Sequence, residues 1–278
     1  MIEKTQAITL RYAPSGNTSR IVTWLTPDFG RVSTLIKGAL RPKSAFIGQY
    51  DTFYTCELLF YARQRNELHF AKECSPMKLR TALRHDWRAC AAASYLTDLA
   101  LRAGPAQAPQ RFLFYWLDQA LDALPGTGAQ LQSIIFWHEL KLLNELGLAP
   151  RLSSCLQCHC DLAPGSAARF SHERGGLLCP ACAQQDHRPA TPIPPDALAI
   201  LRRWQRAPAI TEAQRTRCTP QQLIVLERLL GEFLRYHLDL ALNSRDVALS
   251  IIKRSTGSHR SVTPSSPSQN EFVPPHNS

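Results

Sequence analysis

The sequence predicts an α+β fold: a small closed β-barrel, then an all-α domain carrying a cysteine-rich insertion. Three observations predict it. The first 75 residues alternate short runs rich in β-branched and aromatic residues with clusters of turn formers. From Pro76 onward the apolar residues recur at three- and four-residue spacing. Further on, Cys155-x-x-Cys158 is followed, after twenty intervening residues, by Cys179-x-x-Cys182.

The strand candidates are residues 5–12, 20–26, 31–39, 52–63 and 67–74, separated by "APSGN", "PDFG" and "RQRN". Five short strands in so few residues suit a closed barrel, because closure removes the edges that an open sheet would expose. An OB-fold is the leading expectation and an SH3-like barrel the alternative, for a first domain over 1–78. Helical patterns then cover "MKLRTALRHDWRACAAASYLTDLALRA", "PQRFLFYWLDQALDAL" and "AQLQSIIFWHELKLLNELG", broken by Pro105, Pro109 and "PGTG". Gly147 is a plausible helix C-terminal cap, and Pro150 forbids continuation. Helices resume over 194–207 and 219–242, the latter with Thr219 as N-cap and Pro220 at its first position. The helical domain is thus set at 79–254, with a zinc finger inserted at 151–186. The Ser/Pro/Thr-rich segment 255–278 has little to bury and reads as a disordered tail.

Paired C-x-x-C motifs at this separation let two knuckles each offer two thiolates to one tetrahedral zinc ion. The ligand candidates are Cys155, Cys158, Cys179 and Cys182; Cys160, His159 and His172 lie close enough in sequence to replace one. Four thiolates leave no open coordination position, so one structural Zn2+ is expected rather than a catalytic one. Gly175-Gly176 can form the turn that returns the chain to the metal. Cys56, Cys74, Cys90 and Cys218 stand alone on strand or helix patterns and read as small buried hydrophobes. There is no phosphate-binding G-x-x-x-x-G-K-[ST], no G-x-G-x-x-G, and "HELKL" places Leu142 where a zinc protease needs its second histidine. His237 lies on the apolar stripe Leu223, Leu226, Leu230, Phe233 and reads as a satisfied core histidine. No catalytic constellation can be assembled, and a non-catalytic protein is expected.

The chain carries a formal charge of +10. Residues 1–80 hold twelve Lys/Arg against six Asp/Glu, a net +6 and so more than half of that excess. A polyanionic partner is favoured, nucleic acid first. "IKGALRPKS" concentrates Lys37, Arg41 and Lys43 around Gly38, and Arg11, Arg20 and Arg31 lie on neighbouring predicted strands. Such a loop can lay cations along a phosphate backbone, while Tyr12, Trp24, Phe46, Tyr50, Phe53 and Tyr54 offer rings for base stacking. No base-reading motif is present, so binding should be sequence-independent and salt-sensitive. No apolar stretch reaches membrane-spanning or signal-peptide length, and a cytoplasmic location is expected.

Four segments together resemble the RecO family of bacterial recombination mediators, from about residue 3 to 253. They are "RYAPSGNTSRIVTWLTPDFGRVSTLIKGALRPKS", "LLNELGLAPRLSSCLQC", "FSHERGGLLCPAC" and "LGEFLRYHLDLALNSRDV". The ordered T-x-x-x-G-R turn, K-G-x-x-R-x-K-S loop and L-G-L-x-P-x-L-x-x-C-x-x-C run are far more specific than a four-cysteine pattern alone. The resemblance implies an OB-fold, a helical domain and a zinc finger inserted in it. It implies binding of single- and double-stranded DNA, strand annealing, and action with RecR to help RecA replace SSB, whose acidic C-terminal tail RecO proteins engage. A nucleoid-associated location follows from the same likeness. Cys160 stands where many members have a glycine after the second cysteine, and the tail after 254 lies outside the resemblance. The competing reading is a zinc-stapled adaptor that binds an acidic protein and no DNA. Loss of the helical domain's fold is expected when Cys155 or Cys179 becomes serine.

Overall fold

The computed structural model describes residues 1–63, 68–104, 108–241 and 243–256 of the 278. The turn read at "RQRN", the break at Pro105 and all but two residues of the segment read as a tail fall wholly or partly outside them.

Five strands form the N-terminal barrel: β1 (Ile2–Ser15), β2 (Ser19–Thr26), β3 (Gly30–Ile36), β4 (Thr55–Tyr61) and β5 (Leu68–Lys78). They close in the order β1-β2-β3-β5-β4, antiparallel except where β3 runs parallel to β5 from Ser33↔Leu68 to Leu35↔Phe70. This is the expected OB-type barrel. Period-two alternation sorts its side chains into two cores. Ala7, Val22, Trp24, Val32, Leu58 and Phe60 fill the barrel. Their neighbours Ile8 and Leu25, with Leu10 at a bulge in β1, face outward into the core of the helical domain.

The end of the barrel differs from expectation. The helical period was read from Pro76, yet Pro76, Met77 and Lys78 complete β5. Proline is tolerated because β3 pairs with β5 only at Leu68–Phe70, so no strand needs an N–H from Pro76, and the β4 pairing is irregular there. Arg80 then takes a left-handed conformation (φ 46°). α1 (Trp87–Ala103) starts only where the Asp86 side chain accepts from the N–H groups of Arg88 and Ala89.

α2 (Arg111–Ala123) and α3 (Leu131–Glu145) follow. α3 is buried on nearly every side and forms the centre of the domain, with its buried Glu139 and Lys141 partnered by Arg245 and the Gln205 carbonyl. The insertion contains β6 (Ala168–Ser171), β7 (Gly176–Leu178), α4 (Pro180–Gln185) and β8 (Thr191–Ile193), with the three strands in the order β7-β6-β8. α5 (Pro195–Arg206), α6 (Thr211–Arg215), α7 (Pro220–Leu238) and α8 (Asn243–Thr256) complete the domain. α7 has the expected Thr219 cap, reinforced by Gln222 in a reciprocal capping box. The single helix read over 219–242 ends at Leu238, where Asp239 turns left-handed (φ 50°), and α8 packs back along α1. Thr256 ends α8, so Ser255 and Thr256 belong to that helix.

A buried ion pair fixes α8. Arg245 Nε donates to Glu139 Oε1 (2.7 Å), the Tyr95 hydroxyl donates to the same oxygen (2.7 Å), and Arg245 Nη2 donates to the Glu227 carbonyl (3.1 Å). Gly231 on α7 makes room for it: a Cβ there would lie 2.7 Å from Arg245 Nη1. Among the described residues no helix is long and apolar enough to cross a membrane.

Candidate nucleic-acid interface and metal centre

The basic loop after β3 is held from beneath by the β1–β2 turn. Leu40 N donates to the Thr18 carbonyl (2.9 Å), Gly38 N to Ser19 Oγ (3.3 Å) and Arg41 N to the Gly38 carbonyl (3.0 Å). Gly38 is left-handed (φ 66°), and the Arg41 side chain folds over it, 3.2 Å from where a Cβ would be. The result is an open cleft of about 420 Å³ lined by Ser15, Thr18, Ser19, Lys37, Gly38 and Arg41. Hydroxyls and two cations facing one cleft make a site that a phosphate group can enter.

Lys37, Arg41 and Lys43 are exposed, as is Arg11. Among the described residues none of these four is paired with a carboxylate, whereas Arg80, Arg84, Arg111, Arg203 and Arg235 all are. Lys37 Nζ stands 4.8 Å from the Phe70 ring and the Arg63 guanidinium 5.1 Å from its centre. The parallel Leu35↔Phe70 pairing is what brings these three side chains together. Phe70 and Arg63 escaped the sequence reading, because a parallel partner cannot be identified from either strand alone.

Arg20 and Arg31 are placed differently. Arg20 lies over the Tyr12 ring at 4.6 Å, half-buried beside the loop. Arg31 donates to the Leu101 carbonyl at the end of α1, so it serves the junction between barrel and helices. The whole T-x-x-x-G-R turn is such a junction. Thr26 Oγ1 donates to the Gly30 carbonyl (2.9 Å) and accepts from Phe29 N (3.1 Å), while Gln110 N donates to the Pro27 carbonyl (2.9 Å). Gly30 is left-handed (φ 65°), and any Cβ there would sit 2.2 Å from the Ala108 carbonyl oxygen. Of the six rings read as base platforms, Trp24, Tyr50 and Tyr54 are barrel core and Phe53 packs against the helical core. Base stacking on them is prevented by burial; Tyr12 alone of the six is exposed, with Phe46 half-buried.

The cysteines converge from both knuckles. The Sγ atoms of Cys155, Cys158, Cys160 and Cys179 lie within 4.8 Å of one another, and Cys158 and Cys179 are 3.8 Å apart. A tetrahedral centre with metal–sulfur bonds near 2.3 Å has sulfur–sulfur edges of about 3.8 Å, so these residues can hold a metal ion. Cys182, buried in the first turn of α4, contacts Cys179, Cys158 and Cys155. The set within 4.8 Å thus contains three of the four expected ligands, with Cys160 in place of Cys182, which lies beside it. His159 supplies the left-handed residue of the knuckle (φ 59°), the conformation a glycine favours, and Cys160 follows it.

Backbone donors prepare the site for thiolates. Burial resists ionisation of Cys155, yet the N–H groups of Cys179, Cys158 and Gln157 bring its thiol down to about 6. Hydrogen bonding to Cys158 pushes Cys160 up to about 12, and contact with Cys179 does the same for Cys182. The knuckles have little core of their own: Cys155, Leu178 and Cys182 are their buried cluster. Behind them, Gly175 makes the return turn (φ 83°), Arg174 pairs with Asp186 (3.0 Å), and His237 Nε2 meets the His172 carbonyl at 2.7 Å, tying the insertion to α7. His237 is thus satisfied as read, but it is half-buried at the edge of an open cleft rather than in the core. His138 is wholly enclosed in α3, and burial lowers its pKa to about 4, leaving it neutral core.

The comparisons agree with this architecture. The family model described as Recombination protein O N terminal matches residues 1–80, and that described as Recombination protein O C terminal matches residues 84–246. A DNA repair protein RecO of Roseiflexus sp. (strain RS-1) is 34% identical over 238 residues, covering 86% of this chain and 82% of the relative. The RecO of Anaeromyxobacter sp. (strain K) is 31% identical, covering 87% and 94%, and that of Alkaliphilus metalliredigens (strain QYMF) 28%, covering 90% and 100%. With an OB-type barrel, a helical domain, a convergent cysteine cluster and family matches that meet between residues 80 and 84, the chain belongs to the RecO family of DNA repair proteins.

Proposed function

We propose that this protein is a non-catalytic mediator of DNA repair and recombination in the cytoplasm, binding single- and double-stranded DNA, annealing complementary strands and, with RecR, assisting RecA on SSB-coated DNA. The observation that carries the DNA reading is the cleft beside Gly38, where Lys37 and Arg41 face three hydroxyl side chains with no neutralising carboxylate among the described residues. Lys43 and Arg11 extend the charge along the barrel surface, and Arg20 adds to it from its place over Tyr12. Arg31 contributes indirectly, by holding the barrel against α1. The SSB tail is acidic, and the same excess of positive charge suits it. One Zn2+ held by Cys155, Cys158, Cys179 and Cys182 staples the insertion: a structural zinc supplies folding energy and no reaction chemistry.

The test is annealing of two labelled complementary oligonucleotides, each coated with SSB, followed by energy transfer, alongside the salt dependence of single-strand affinity. The protein should accelerate annealing. The Lys37→Ala/Arg41→Ala/Lys43→Ala variant should lose that acceleration and flatten the salt slope by about 2, at roughly 0.7 for each phosphate contact removed. An unchanged slope with SSB binding intact would give the adaptor reading precedence.

A further inference from the structure

We propose that the metal centre holds a constant set of three ligands, Cys155, Cys158 and Cys179, and that Cys160 and Cys182 exchange in the fourth position. This rests on the metal reading above and extends it to a residue outside the paired motifs. Cys160 is brought to the cluster by its own backbone. Cys155 N donates to the Cys160 carbonyl (2.9 Å), Ser154 and Asp161 form a bridge beside that bond, and left-handed His159 turns the chain between Cys158 and Cys160. Cys182 arrives by an unrelated route, in the first turn of α4, whose N-cap is Cys179 and whose Cys182 N–H donates to Cys179 Sγ (3.5 Å).

Both thiols are therefore anchored to a constant ligand, and neither needs a loop to move. They differ in exposure and in distance: Cys160 is exposed and lies within 4.8 Å of the three constant sulfurs, whereas Cys182 is buried and lies just outside that set. A tetrahedral thiolate site saturates at four, so a fifth sulfur at this range must either stay protonated or displace a ligand. Exchange balances without any co-reactant. The metal–sulfur bond to Cys182 breaks as that to Cys160 forms, and the Cys160 thiol proton passes to the released Cys182 sulfur, leaving the charge of the centre unchanged. Cys158 of the constant set is exposed as well, so exchange to Cys160 replaces a buried sulfur with a second exposed one.

The experiment uses the full chain loaded with one equivalent of Co2+ without oxygen, comparing wild type, Cys160→Ser, Cys182→Ser and the double variant. Each single variant should keep one metal ion per chain and the charge-transfer intensity of four thiolates, and the double variant should fall to that of three. A single variant that already shows the three-sulfur spectrum overturns exchange, since the other thiol then fails to replace it. Should Cys182→Ser fold poorly, alkylation of zinc-loaded wild type by iodoacetamide decides the matter by peptide mass spectrometry. Label shared between Cys160 and Cys182 supports exchange; label confined to one of them refutes it. Failure of the metal reading itself is separate and visible first, as wild type that binds no cobalt or zinc.

Discussion

At the scale of single residues, several features that distinguish this sequence are spatial accommodations rather than contacts with a ligand. Gly231 sits inside α7, where glycine costs about 1 kcal/mol relative to alanine. It is kept because Arg245 Nη1 occupies the space a methyl would take. Gly231→Ala should therefore destabilise the protein despite the gain in helix propensity. In an Arg245→Ala background, itself about 3–5 kcal/mol less stable because Glu139 is left buried and unpaired, the same change should be neutral or stabilising. A double-mutant cycle by urea unfolding checks this; equal effects in both backgrounds would refute the explanation. Nothing in the sequence near Arg245 reveals the pair, since its partner is 106 positions away. Gly30 was legible as part of a motif, but its cause, the Ala108 carbonyl pressed against it, lies in the other domain.

At the scale of elements, the strands and long helices were legible because each is long enough for its hydrophobic period to repeat. The insertion was legible only as chemistry. Its paired cysteines announce a metal site, while β6, β7 and β8, of three or four residues each, are too short to show a period. Its division of labour is clear from packing. Phe170, Leu177 and Ile193 belong to the large helical core, and the knuckles rely on their own small cluster. Loss of metal should therefore unfold the knuckles more readily than the helices, which narrows the effect anticipated for the whole domain. Cys155→Ser should weaken metal binding and open protease cleavage between residues 153 and 187, with helical circular dichroism largely kept. Protection of that segment equal to wild type would contradict a structural role for the metal.

At the scale of the whole molecule, the barrel and helices behave as one body because the linker between them is clamped. Arg80, with its side chain 4% exposed, donates to the Phe53 carbonyl (2.5 Å), Thr55 Oγ1 (2.9 Å), Asp118 Oδ1 (2.5 Å) and Asp122 Oδ1 (2.6 Å). Lys78 at the end of β5 reaches the same two carboxylates on α2. Burial opposes ionisation of Asp118, but hydrogen bonds from Lys78 and Thr55 and the Arg80 charge hold its carboxyl below the usual range. A carboxyl depressed by folding contributes stability that is fully present above its unfolded pKa of about 4 and is lost as pH falls through the lower folded value. The clamp should accordingly open in acid. Hydrogen exchange read peptide by peptide follows the barrel, while far-ultraviolet circular dichroism reports the helices. At neutral pH the two urea transitions should coincide, and well below pH 4 the barrel should unfold first. Asp118→Asn, at a cost of about 1.5–3 kcal/mol for its charged hydrogen bonds, should separate the transitions at neutral pH. Transitions that coincide in wild type at low pH, or in the variant at any pH, would show that the apolar contacts of Ile8, Leu10 and Leu25 hold the domains together unaided. The outcome bears on geometry directly: a clamped barrel fixes the angle between the basic cleft and the cysteine centre.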